Sequence, residues 1–356
     1  MALDFFTGFD HYATSDLTAG RFTSSTNATI QASIYRHGGS ALSLVTGGTA
    51  NVIKTGLSNA ATRVLGFGFY SGTITSCTSR VIAALSDGTP TTAGNVQVGL
   101  AITSSGNIAL YRGRALSLAT GGTQLGSNSV NVLSSGIWYY IELVVTVHGS
   151  TGIAQVFVNG SNTNWQNLSS QNTQSTANAY ANAFGFNGDS TPANLYFDDL
   201  YILSGSGGVR TARLGDVKAI SKIASAGDGS LAQFTPSTGT DNGEMVNESV
   251  PNGDTDYNST ANVGDIDTYN FPAIGVSGTI FGLQVLNWSK KTDAGTCDSR
   301  DVLRITSTNY FGSVVNQGTS YAYAGGGTLK EQSPATSANW TVGEIDGAEY
   351  GIERNA

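Results

Sequence analysis

Residues 136 to 160 read Gly136-Ile-Trp-Tyr-Tyr-Ile-Glu-Leu-Val-Val-Thr-Val-His-Gly-Ser-Thr-Gly-Ile-Ala-Gln-Val-Phe-Val-Asn-Gly160. The half from Ile137 to Val147 is aromatic and β-branched, with no glycine or proline inside, so it reads as a long strand. Alternation puts Ile137, Tyr139, Ile141, Leu143, Val145 and Val147 on one face, and Trp138, Tyr140, Glu142, Val144 and Thr146 on the other. One of those faces should be fully buried. The run breaks at His148-Gly149-Ser150-Thr151-Gly152, and a second strand, Ile153 to Val158, ends in the Asn159-Gly160 turn. A short glycine-containing loop between two such runs predicts an antiparallel hairpin.

Working outward, the composition favours the same class. The chain has 356 residues, long enough for two domains with separate cores. Only 12% of residues are charged and 46 are glycine, which suits short strands and tight turns better than helices. With 39% apolar residues it is not a disordered composition. The net charge of −8, with Lys and Arg scattered, argues against a nucleic-acid partner. No run approaches the roughly 20 apolar residues of a membrane span, and the start Met1-Ala-Leu-Asp4 lacks the regions of a signal peptide. The expectation is therefore an unprocessed chain made in the cytoplasm. Cys77 and Cys297 fall far apart and are expected to be free thiols.

Strand candidates before the hairpin are Gln31 to Arg36, Ala41 to Thr46, Arg63 to Tyr70, Arg80 to Leu85, Val96 to Thr103 and Asn107 to Tyr111. The run Ala41-Leu-Ser-Leu-Val-Thr-Gly-Gly-Thr49 recurs as Ala115-Leu-Ser-Leu-Ala-Thr-Gly-Gly-Thr123, but nothing flanking it repeats. Two strand-then-turn segments of similar role are expected, not a repeat array. Ser161 to Asn182 is polar and should be a surface excursion, with Trp165 either a plug over the sandwich or an exposed contact residue. Tyr180 to Asn187 and Leu195 to Leu203 follow as strands, the latter expected beside the aromatic Leu3 to Phe9 segment. Ser204-Gly-Ser-Gly-Gly208 reads as a flexible linker. The predicted organisation is a first domain over 1–203, a linker over 204–213 and a second β-rich domain over 214–356. In that second part Gly278 to Trp288 reads as the best strand, with Asp301 to Thr306 and Tyr321 to Ala324 as partners. Thr341 and Glu344 form a capping-box pattern for one short helix, and Tyr350 to Glu353 would return as a last strand. The fold class is all-β, two antiparallel β-sandwich domains of jelly-roll type.

The Trp-led central strand, the Val-Phe-Val-Asn-Gly turn and the Leu195-Tyr-Phe-Asp-Asp-Leu-Tyr-Ile-Leu203 run resemble the laminin-G or concanavalin A-like jelly roll. The resemblance widens with Gly8-Phe-Asp-His-Tyr12, Leu214-Gly-Asp-Val217, the 246 to 257 segment, Lys290-Lys-Thr-Asp-Ala-Gly295 and Trp340-Thr-Val-Gly-Glu344. In that order they are similar to virion structural proteins of tailed bacteriophages that join such a domain to a second β-rich one. The resemblance implies a non-enzymatic virion component on a head, tail or fibre, bound to other virion proteins and present as a homo-oligomer, a trimer being the guess. The alternative is a lectin-like protein that attaches to a host glycan, with Trp165 and Tyr180 as stacking residues. Glycoside hydrolysis is the third reading.

Glu344-Ile-Asp-Gly-Ala-Glu349 matches the Glu-x-Asp-x-x-Glu pattern of retaining glucanases, whose two carboxyl groups must converge in a groove about 5 to 5.5 Å apart. Here the motif lies outside the predicted jelly roll and under a helix cap, so solvated carboxylates are the reading adopted. Asp198 and Asp199 are the candidate metal ligands, calcium being the cation laminin-G-like domains sometimes hold near such positions. Adjacent strand residues point to opposite faces, so hydrogen bonding to loops is preferred, and no cofactor is otherwise expected. Asp254, Asp256, Asp265 and Asp267 form a looser acidic group whose spacing misses the EF-hand pattern. His11, His37 and His148 lie in separate segments without a nucleophile motif, and surface or cap roles suffice.

Overall fold

The computed structural model describes residues 1–45, 49–190, 192–225, 227–323 and 327–356, and almost every element in it is a β-strand. The chain separates into two units, Met1–Asp10 with Phe22–Ala219, and His11–Arg21 with Ile220–Ala356. The 204–213 run belongs to the first unit: the Arg210 amide donates to the Met1 carbonyl at 2.9 Å, and Arg213 pairs with buried Glu142. Its glycines suggest a free linker, but specific partners tie it down, and the division falls after Ala219.

The first unit contains β1 (Ala2–Thr7), β2 (Ser24–Thr26), β3 (Thr29–Gln31), β4 (Ala41–Leu44) and β5 (Asn51–Lys54). Next come β6 (Thr62–Ser71), β7 (Val81–Ser86), β8 (Val96–Ile102), β9 (Ile108–Arg112) and β10 (Thr123–Leu125). The hairpin strands are β11 (Tyr139–Thr146) and β12 (Gly152–Val158), followed by β13 (Asn164–Gln171), β14 (Ala183–Asn187) and β15 (Leu195–Ser204). One sheet of eight strands runs β13-β12-β11-β6-β15-β4-β3, with β1 also on β15, and a sheet of seven runs β10-β9-β8-β7-β14-β5-β2. Neighbours are antiparallel throughout. This is a jelly-roll-like β-sandwich.

The core follows from period-two alternation. In β6, Leu65, Phe67 and Phe69 share one face, opposite Leu143, Ile141 and Tyr139 of β11. Phe67 meets Phe186 of β14 in the facing sheet at 5.0 Å between ring centroids, and Phe186 meets Phe197 of β15 at 4.6 Å. All three rings are fully buried. The hairpin forms as expected, Ile141 pairing with Val158 and Thr146 with Ile153, and β1 lies beside β15.

Three further sequence expectations change in this unit. The 161–182 segment is not only an excursion: it contributes β13, an edge strand that shows no hydrophobic alternation because its one buried side chain, Gln166, is polar and donates to the Ile108 and Ser127 carbonyls. The strand expected over 31–36 stops at Gln31, and the chain then crosses a loop that is hydrogen-bonded to Asp198. The two similar nonapeptides do different work. Ala41–Leu44 is a strand between β3 and β15, whereas Ala115 to Leu118 is a turn bonded to Pro90 and Val81, with Ser117 at a φ of 71°. Residues 46–48 of the first copy lie outside the described residues.

The second unit is built on one antiparallel sheet of six strands: Asp228–Ala232, Ile266–Tyr269, Ala348–Arg354, Asp298–Ile305 and Thr308–Phe311, with Val315–Asn316 also on Asp298–Ile305. Three two-stranded ribbons accompany it among the described residues. The expected strand over 278–288 is only Leu283–Val285 and Trp288–Ser289, in separate ribbons, because each half finds a different partner. Residue 324 of the predicted Tyr321 to Ala324 strand lies outside the described residues. A small core gathers Val285, Leu303, Trp340, Ile345, Ala348 and Tyr350. The short helix Val342–Asp346 is capped by Thr341, whose hydroxyl accepts from the Glu344 amide at 3.2 Å. No helix among the described residues is long and apolar enough to cross a membrane.

Candidate functional site

The outer face of the eight-stranded sheet carries two distinct regions. Register places Tyr140 and Glu142 of β11 beside Gly68 and Gly66 of β6, and Asp198 and Tyr201 of β15 beside the same glycines. A Cβ at Gly66 would run into the Tyr201 ring, so the missing side chain is what lets that ring lie across the strand. Tyr201 donates its hydroxyl proton to Glu142, which also pairs with Arg213 and accepts from the Gly215 amide at 2.8 Å. Glu142 is fully buried, which a carboxylate tolerates only with such partners.

Asp198 and Asp199 lie at the centre of this region. The β15 register shifts between Asp198 and Tyr201, and Asp199 has a φ of 47°. This bulge overturns the expectation that two adjacent residues serve opposite faces, because both carboxylates reach the same loop. Asp198 accepts from the Arg36 amide at 2.8 Å and the Asp199 amide at 2.7 Å. Asp199 accepts from the Arg36 guanidinium at 2.7 Å and the Ala219 amide at 2.8 Å, and its Oδ2 lies 2.7 Å from His37 Nδ1. Every carboxylate oxygen of the pair thus faces N–H donors, an arrangement that anchors the 36–37 loop and the chain up to Ala219. No group of three or more His, Cys, Asp or Glu side chains among the described residues is placed to hold a metal ion. Burial, then the neighbouring Asp199, pushes the Asp198 carboxyl up to about 8. Burial also pushes Asp10 up to about 6, against hydrogen bonds from the Ser40 and Gly39 amides, and its Oδ2 is buried without a hydrogen-bond partner.

The second region is open. Tyr196 of β15 pairs directly with Tyr70 of β6, their rings 5.7 Å apart, and Trp138 lies 5.5 Å on the other side of Tyr70. Three half-buried rings therefore form a row across β15, β6 and the residue that leads into β11. Tyr196 stays a proton donor, since burial and then Tyr70 raise its phenol. Of the two stacking residues named from sequence, Trp165 is half-buried on β13 with its ring edge-on to Tyr139 at 6.4 Å. Tyr180 lies on the β13 to β14 connection, its carbonyl bonded by Gln97 of β8 at 2.9 Å. They join no common cluster. The row was hidden in sequence because its members are far apart along the chain, 126 residues from Tyr70 to Tyr196 and 58 from Trp138 to Tyr196.

The tail carboxylates do not converge. Glu344 accepts from Ser333, Asp346 from the Ile274 amide at 2.8 Å, and Glu349 from the Ser230 amide at 2.8 Å and the Thr268 hydroxyl at 2.7 Å. Each closes a separate loop. His148 caps its hairpin loop, accepting from the Ser150 and Thr151 amides, as expected. His11 departs from the expected surface role. It is half-buried against Tyr12 at 4.0 Å and Tyr323 at 5.6 Å, and desolvation followed by Arg21 pushes its imidazole down to about 3. Both cysteines are free, Cys77 buried.

No family model and no curated protein matches the chain. Solved structures similar to it include an endo-β-1,4-glucuronan lyase from the fungus Trichoderma reesei, with 13% identity, 57% of this chain and 96% of that chain covered, and a TM-score of 0.41. The marine PL-14 alginate lyase from Aplysia kurodai shares 13% identity over 57% of this chain and 100% of that chain, at a TM-score of 0.43. Lectin I from Ulex europaeus, in complex with the methyl glycoside of α-L-fucose, shares 10% identity over 56% of this chain and 96% of that chain, at 0.35.

Proposed function

We propose that this chain is a non-enzymatic glycan-binding β-sandwich protein, whose sugar site is the row Tyr196, Tyr70 and Trp138. The supporting observation is the row itself: three half-buried rings, on β15, on β6 and at the entry to β11, held 5.5 and 5.7 Å apart and therefore oriented before any ligand arrives. Aromatic faces meet the apolar C–H face of a pyranose, while phenol and indole groups at the rim reach its hydroxyls. The strands beneath are pinned by the Glu142, Asp198 and Asp199 network, so little ordering cost falls on binding. A glycan array identifies the ligand, and Trp138→Ala is expected to weaken binding by about tenfold. Wild-type binding by Trp138→Ala, or no binding by the parent protein, would overturn this reading.

A second reading is assembly into a tailed-phage particle beside other virion proteins, consistent with synthesis in a host cytoplasm. It rests on the sequence resemblance and on Val130, Val132 and Ile137, which expose 93%, 49% and 50% of their surface within one loop region. A protomer that stays monomeric at high concentration and is missing from purified particles would sink it. The two readings are compatible, since an attached protein can also hold a sugar.

A further inference from the structure

We propose that the second unit carries its own sugar platform, built on Trp288 and Tyr321 and rimmed by Tyr257, Lys290 and Asp254, and that it takes a neutral, hydroxyl-rich glycan. It shares a ligand class with the reading above but none of its residues, so either can fail alone.

Trp288 sits on a two-residue strand that pairs with Ala322–Tyr323, and its ring lies parallel to Tyr321 within 2°, with centroids 6.1 Å apart. Behind it, buried Tyr323 packs edge-on at 4.8 Å and is itself held by a 2.9 Å hydrogen bond from its hydroxyl to the His11 carbonyl. Tyr321 donates to the Gly253 carbonyl and to Asp254, both at 3.1 Å. Lys290 Nζ lies 4.4 Å from the Tyr321 centroid and donates to Asp254 at 2.7 Å. The rings are thus held from behind and from the side, yet Trp288 and Tyr321 remain half-buried, and Tyr257, an electrostatic neighbour of the Tyr321 phenol, is exposed. None of these side chains belongs to the unit's hydrophobic core around Leu303 and Trp340. A two-residue strand gains little by holding a tryptophan half in water, and a ligand face accounts for it.

The rim chooses the ligand. The Asp254 side chain is 67% exposed, so its oxygens keep lone pairs open to water and can accept sugar hydroxyls, while Lys290 supplies donors. Lys290 and Asp254 neutralise each other, and the chain as a whole carries −8. A uronate, sialate or phosphate would meet the exposed Asp254 carboxylate, whose partner Lys290 is already paired with it, so a neutral sugar fits best.

The test is affinity electrophoresis of the full chain through gels holding a β-glucan, an α-glucan, a galactomannan or, as the acidic comparison, alginate. Trp288→Ala should weaken binding to at least one neutral polymer by about fivefold to tenfold, and the exposed Asp254→Asn should weaken it in the same direction without altering thermal melting. Loss in these two variants with Trp138→Ala unaffected supports this platform and overturns the first. Loss in Trp138→Ala with Trp288→Ala and Asp254→Asn at parental strength overturns this platform and supports the first. Additive losses support both, and each outcome in which alginate binds tighter than every neutral polymer overturns the neutral class.

Discussion

The two units draw on one composition and stabilise themselves differently. In the sandwich, two large sheets face one another, and phenylalanines from β6, β14 and β15 meet with no solvent exposure. The second unit has one six-stranded sheet, and much of its order comes from polar side chains bonded to backbone. Asp267 accepts from the Gln233 and Phe234 amides at 2.7 and 2.8 Å and from Asn242 at 2.8 Å, and Asn242 in turn donates to the Phe234 carbonyl. A paired sheet can cover apolar rows, whereas a sheet with short ribbons has fewer faces to cover and must satisfy more loop backbone directly.

The contrast is broken most directly in the cores. Phe186→Ala should cost about 3 to 5 kcal/mol and lower amide protection across both sandwich sheets, because the void touches strands of each. Leu303→Ala should cost about 2 kcal/mol, with loss of protection confined to the 298–354 region, and hydrogen exchange resolves the two. Equal losses would mean the second unit is packed as densely as the first. Gly66→Ala sharpens the point about the sandwich's outer face: displacing the Tyr201 ring should cost about 1 to 3 kcal/mol and loosen Leu214 and Gly215, read by the same exchange measurement.

Titration should separate the units by sign. Asp10 and Asp198 hold their protons more tightly when folded, so the stability they supply is complete below the ordinary value of 3.8 and falls as pH rises toward about 6 and about 8. His11 is the reverse: it is held neutral, and the second unit should weaken as pH falls from 6.5 toward about 3. Each group contributes a slope of about 1.4 kcal/mol per pH unit at most within its window. Asp198→Asn should flatten the loss of sandwich stability between pH 3.8 and about 8 and leave the His11-dependent slope of the second unit alone; an unchanged sandwich slope in urea titrations across pH would refute the assignment. The smallest expected effect is Thr341→Ala, about 1 kcal/mol from loss of the helix cap, with the cost confined to the second unit.

Much of the sandwich was legible because its strands alternate. The hairpin of β11 and β12, the long β6 and β15, and the pairing of the first and last strands all follow from period-two runs and glycine turns. The polar edge strand β13 and the broken 278–288 run were not, since neither carries a pattern that one face of a sheet would demand. The candidate sites were less legible still. Trp138 appeared as the residue that leads the central strand, with its face left unassigned, and Trp288 as the end of another strand, while Trp165 and Tyr180 stood out only by sitting in a polar segment.

Composition and alternation alone determined an all-β chain with an antiparallel hairpin at its centre, since a two-residue period commits each side chain to one face wherever the strand lies. Only the tertiary structure decided which outward residues become neighbours. Tyr196, Tyr70 and Trp138 meet through strand order, and Asp198 and Asp199 turn to one loop through a bulge. Strand order and register are set by contacts between distant segments, and no local sequence encodes them.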